Sequence, residues 1–106
     1  MKRTDREKKP YKVGVLSVVK HDYLPRAIAA HPRFSLSFVS DDISRPEWTH
    51  ERNQKFADEF QIPYIKDIAT AIKDNQIDAV AVSPEAERHC ELAIIAAEAG
   101  LHIVVD

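Results

Sequence analysis

Two groups of residues in this chain could do chemistry on a nucleotide. The first is Asp41, which follows the apolar run Phe34–Ser40 and is itself followed by Asp42. A carboxylate at the end of a second strand can accept hydrogen bonds from both hydroxyls of a ribose, and it repels a 2′-phosphate. Asp41-Asp42 is also good turn chemistry, and Arg45 just beyond could pair with such a phosphate instead. The second group is the loop after the run Lys12–Val18, made by Ser17, Val18, Val19, Lys20 and His21. A dinucleotide-binding strand–turn–helix carries glycines there, because a backbone without Cβ atoms lets a pyrophosphate approach closely. The chain's nearest glycine, Gly14, lies inside the strand. Val18 and Val19 are therefore expected to hold a dinucleotide farther away or in another pose. Ser17 and His21 are the polar groups left, and His21 could donate to a phosphate in place of the missing glycine amides.

Other chemistries find less support. Cys90 is the single cysteine, which excludes an internal disulfide, a Cys-x-x-Cys redox motif and a multi-cysteine zinc site. It is expected on the apolar face of a helix as an inert core residue. His31, His50 and His102 share no close spacing, so no metal site is expected. Trp48 is expected to bury against the sheet edge. With 15 Lys and Arg against 17 Asp and Glu, the formal charge of −2 gives no general affinity for nucleic acid. No window approaches the roughly 20 apolar residues of a membrane span, and no apolar signal core stands near the N-terminus, so a cytoplasmic protein is expected.

The elements that must position these groups follow from apolar patterning. Hydrophobic residues make up 44% of the 106 and charged residues 30%, as expected for one globular domain. Residues 1–10 read as a charged, flexible arm and 11–106 as the domain. Strands are expected at Lys12–Val18, Phe34–Ser40, Tyr64–Ile65, Ala79–Val82 and His102–Val105. The first, fourth and fifth are apolar enough to be covered on both faces. Helices are expected at Asp22–Ala30 with Asp22 as cap, at Glu47–Phe60 after Pro46, and at Asp67–Asn75 capped by Asp67. A fourth runs Pro84–Ala99, with Ala86, Cys90, Ala93, Ile94 and Ala97 as a stripe against the sheet and Gly100 as a left-handed end. Strand–helix alternation of this kind predicts a doubly wound, mostly parallel α/β sheet, Rossmann-like, of five strands in the order 3-2-1-4-5. A chain that stops at Asp106, directly after the fifth strand, is expected to be part of a larger protein.

Four stretches in this order resemble the N-terminal domain of the glucose–fructose oxidoreductase / inositol dehydrogenase (Gfo/Idh/MocA) family. They are KVGVLSVVKHDYL, LSFVSDD, FADEFQIPYIKDIATAI and DAVAVSPEAERHCELAIIAAEAGLHIVVD. The last is the most specific, with Ser83-Pro84-Glu85, His89, Ala99-Gly100-Leu101-His102 and Ile103-Val104-Val105. The middle block contributes Ala57, Phe60, Ile62, Pro63, Tyr64 and Asp67. The chain departs from the family in its glycine-poor loop, where Ser17, His21 and Tyr23 are similar to a branch with Ser and His in that place.

The resemblance implies an NAD or NADP site, with NAD favoured by Asp41, and contacts from Ser83, Pro84 and Glu85 to the nicotinamide half. A purely structural role for that turn, with Ser83 capping a helix begun by Pro84, is compatible with it. His89, one turn into the helix, could approach substrate or the nicotinamide ribose. The family's catalytic lysine would follow Asp106, so no catalytic residue is expected within the chain and the chain alone is expected to be inactive. In the intact protein the resemblance implies hydride transfer to or from a hydroxyl-bearing carbon of a sugar or polyol-like substrate. A non-catalytic Rossmann-like binding or assembly module, its dinucleotide affinity lost with the glycines, is the other reading. A phosphorylation-receiver domain is disfavoured, because it needs an acidic pair after the first strand and a lysine after the fifth. Neither membrane nor nucleic acid is an expected partner. The edge strand His102–Val105 predicts a homodimer or higher assembly.

Overall fold

A computed structural model describes residues 9–19, 21–84 and 88–105. Most of the charged arm, Glu85, Ala86 of the expected stripe, and Asp106 lie outside the described residues. Five parallel strands, β1 (Tyr11–Val18), β2 (Phe34–Ser40), β3 (Tyr64–Ile65), β4 (Ala79–Ser83) and β5 (His102–Val105), form one sheet in the order β3-β2-β1-β4-β5. Helices α1 (Tyr23–Ala30), α2 (Glu47–Phe60), α3 (Ile68–Asp74) and α4 (His89–Glu98) connect them. The fold is the doubly wound Rossmann-like α/β sheet that the alternation predicts.

Strand periodicity divides the core. Leu16, Phe38, Val80 and Val82 face α3 and α4, where Ile68, Ala71, Leu92 and Ala96 meet them. Val15, Val18 and Val39 face the other way, against Phe56 and Ala57 of α2. Gly14 serves this packing: a Cβ there would collide with the ring of Phe38. On the α2 side, α1 is fastened by Arg26, which pairs with Glu59 at 2.6 Å and lies over the rings of Phe56 and Phe60.

Several expectations about the elements need correction. The fifth strand is not covered on both faces: Val104 and Val105 are 41% and 48% exposed, because β5 is a sheet edge. In α4 the inward face is Leu92 and Ala96, which pack on β4, while Cys90, Ile94 and Ala97 are exposed. That helix is apolar nearly all round, so spacing alone did not select a face. Cys90 is thus a surface thiol. Trp48 is 47% exposed, since Thr49, Asn53, Phe56 and Ala57 set the buried face of α2 and leave it one position off. Arg52, four residues on, lies over its ring. Asp22 and Asp67 occupy N-cap positions without capping bonds, their carboxylates engaging Arg26 and Thr70 instead. Neither Ser83 nor Pro84 starts the last helix: β4 runs through Ser83, which pairs with Val18, and the described helix begins at His89. His89 is therefore its first residue rather than one turn in. Gly100 ends it as expected, at φ +76°, with the Leu101 and Gly100 amides donating to Ala96 and Ala97.

Candidate functional site

The chain leaves β1 for β2 and β3 on one side and later returns to β4 on the other. The carboxyl ends of β1 and β4 therefore form the switch point where doubly wound sheets place their ligands. Ser17 stands there at φ +70°, in the left-handed region that glycine occupies freely, at an irregularity in the β1–β4 register. The loop thus holds a glycine-like backbone without a glycine. Val18 and Val19 are 6% and 2% exposed. Val18 packs among Val15, Val39 and Phe56, so its side chain is part of the core and not an obstacle projecting into the crevice. The hydroxyls of Ser17 on β1 and Ser83 on β4 are buried without a hydrogen-bond partner. Buried polar groups are nearly always paired, so two unspent hydroxyls on adjacent strands at a switch point mark where a polar ligand would be expected. His21 is exposed just ahead of α1, its ring beside Tyr23.

Asp41 extends from the end of β2 and is fully buried, which excludes a solvated turn acid. One carboxylate oxygen accepts from the Asp42 amide at 2.9 Å and from Arg88 Nη2 at 2.5 Å. The other accepts from Asn53 Nδ2 at 3.0 Å and from Arg88 Nη1 at 3.4 Å. Burial by itself pushes the Asp41 carboxyl up. The Arg88 and Asp42 hydrogen bonds, the Arg88 charge and the Asn53 amide outweigh burial and hold the pKa below its ordinary value. Arg88 reaches Asp41 from the start of α4, so the ion pair spans the end of β1, which lies between β2 and β4.

Behind Asp41 runs a connected polar chain. Asn53 accepts from the Val18 amide at 2.9 Å and donates to the Tyr64 hydroxyl at 3.1 Å. That hydroxyl lies 2.7 Å from His50 Nδ1, and His50 Nε2 lies 3.1 Å from the Ile43 carbonyl. A carbonyl can only accept, so Nε2 carries the proton and Nδ1 accepts from Tyr64. Burial is the main reason the Tyr64 hydroxyl is pushed up to about 12. Asn53, Tyr64, His50 and Arg88 thus build the site although none was selected on sequence. The signal available was Tyr64 and Asn53 falling within or beside a family-like block; their distance in sequence from Asp41 hid the contact.

Of the expected site residues, Ser17, Val18, Asp41 and Ser83 are brought to the carboxyl ends of neighbouring strands, and Pro84 follows buried. Val19 lines a groove of about 380 Å³ with Arg26, Arg52, Lys55 and Glu59, and its carbonyl accepts from Arg52. His31 and His102 lie away from the site, His31 against Phe34 and His102 on β5.

A family profile, "Oxidoreductase family, NAD-binding Rossmann fold" (GFO_IDH_MocA), matches residues 13–106. The fold is similar to a "putative dehydrogenase" from Bordetella bronchiseptica RB50, with TM-score 0.71 and 24% identity over 91% of this chain and 24% of that one. It is also similar to a "probable dehydrogenase" from Thermotoga maritima, with TM-score 0.69 and 22% identity over 89% of this chain and 27% of that one. The chain therefore spans about a quarter of the length of these structures. No curated protein matches it.

Proposed function

Because the chain belongs to the Gfo/Idh/MocA oxidoreductase family and forms its NAD-binding Rossmann domain, we propose that a nicotinamide dinucleotide lies across the carboxyl ends of β1, β2 and β4. The observation that carries this placement is the pair of unpartnered buried hydroxyls, Ser17 and Ser83, on the two strands of the switch point. The adenosine half sits toward the end of β2 and the nicotinamide half toward Ser83, Pro84 and His89. Glu85 belongs to the same turn. When bound, the dinucleotide supplies a hydride donor or acceptor. The chain's own residues bind and orient it. His21 and the start of α1 face its phosphates, and the left-handed backbone at Ser17 keeps the turn that a close approach needs.

In the whole protein, the hydride moves to or from a hydroxyl-bearing carbon of a sugar or polyol-like substrate. NAD is preferred over NADP: Asp41 and Asp42 bring two carboxylates to the end of β2, and Arg88 supplies one positive charge against them. The second reading, a binding or assembly module that no longer takes dinucleotide, is favoured by the Val18 amide, which is spent on Asn53 instead of facing a phosphate. Titration with NADH and NADPH distinguishes the two, followed by energy transfer from the exposed Trp48 and by calorimetry. Saturable binding with NADH tighter is the expected result. Absence of binding to either selects the module.

A further inference from the structure

We propose that Asp42, not Asp41, is the carboxylate that reads the adenosine ribose, and that Asp41 is a positioning residue that holds Arg88 beside it. This rests on the dinucleotide reading above. A carboxylate has about four lone-pair sites. Those of Asp41 already meet four donors: the Asp42 amide, Asn53 Nδ2 and both terminal nitrogens of Arg88. Its side chain is completely buried, so ribose hydroxyls would have to displace a buried ion pair to reach it. Asp42 differs on both counts. Its side chain is 43% exposed, and its carboxylate stands 3.8 Å from Arg88 Nη2.

That contact also fixes direction. Arg88 crosses the end of β1 from the start of α4, so a carboxylate beside its guanidinium lies over the carboxyl ends of the strands, where the ligand is placed. The Arg45 amide donating to the Asp42 carbonyl at 3.2 Å closes the turn that presents it. Arg88 neutralises one of two carboxylates, so the surface met by the ribose keeps a net negative charge. It accepts from hydroxyls and repels a 2′-phosphate.

The test is NADH and NADPH binding by calorimetry together with unliganded thermal midpoints, for Asp42→Ala, Asp41→Asn, Arg88→Met and the Asp41→Asn/Arg88→Met pair. Asp42→Ala is expected to weaken NADH by about tenfold or more, the loss of a charge-assisted hydrogen-bond pair. It should narrow the NADH-over-NADPH preference and leave the midpoint unchanged. Asp41→Asn is expected to lower the midpoint, and the double variant to lose less than the sum of the singles. Unchanged NADH affinity and preference in Asp42→Ala overturns the proposal. So does additive loss in the double variant, or an Asp41→Asn protein that keeps its midpoint but loses the NADH preference. NADPH tighter than NADH in the unsubstituted protein overturns it too and points to Arg45. Absence of binding to both overturns the dinucleotide reading and with it the role of Asp42. In that case the stability cycle still reports whether Arg88 holds Asp41.

Discussion

At Asp41 a buried carboxyl stays charged because Arg88, Asn53 and the Asp42 amide surround it. Its folded pKa lies below the model value of 3.8, so its proton affinity is higher in the unfolded chain. The stabilisation is therefore complete above that unfolded value and is lost as the pH falls through the folded one. Asp41→Asn should lower stability at neutral pH by about 3–5 kcal/mol, since it leaves the Arg88 guanidinium buried and unpaired. It should also flatten the acid limb of a stability-against-pH profile measured by urea unfolding. An acid limb as steep as that of the unsubstituted protein would show that Asp41 is not the group being titrated. Asp41 itself could be selected on sequence because it ends an apolar run. Its partners could not: Asn53, Tyr64 and Arg88 are separated from it by 12 to 47 positions, and no local period links them.

Among the elements, helix ends show what local chemistry does and does not reveal. Gly100 announced itself as a left-handed end because glycine alone adopts that conformation without cost. Gln61 ends α2 in the same conformation, at φ +58°, with the Ile62 amide donating to Ala57, and nothing in a glutamine signals this. The two positions should respond oppositely. Gln61→Gly should stabilise by about 0.5–1 kcal/mol, and Gly100→Ala should destabilise by about 1 kcal/mol. Both are read from chemical-denaturation midpoints at constant slope. The strands, by contrast, were legible nearly to the residue. Their apolar runs are short, rich in β-branched side chains and bounded by polar turns. The buried face of α4 was not, because apolar residues nearly encircle that helix.

For the molecule as a whole, the sheet has one edge at β3 and one at β5. On the β5 edge Val104 and Val105 are exposed beside strand backbone, an arrangement that templates pairing with another chain. The 106-residue chain should therefore self-associate at micromolar concentration, with Val104→Lys shifting it toward monomer in sedimentation velocity. A sedimentation coefficient unaffected by the substitution would move the contact elsewhere. The described helices, for their part, contain none long and apolar enough to cross a membrane.

The central place of β1 also has a consequence for the nascent chain. β1 is the first strand to leave the ribosome, yet one of its two neighbours, β4, starts only at Ala79. At roughly 5–20 residues per second, the 60 residues from the end of β1 to the start of β4 take roughly 3–12 s to synthesise. Throughout that interval the β4-facing side of Val13–Val18 has no ladder partner, and its apolar side chains cannot yet meet the β4–α4 half of their core. A pause before residue 79 prolongs the exposure of an unpaired, apolar strand, the form most prone to intermolecular pairing and chaperone capture.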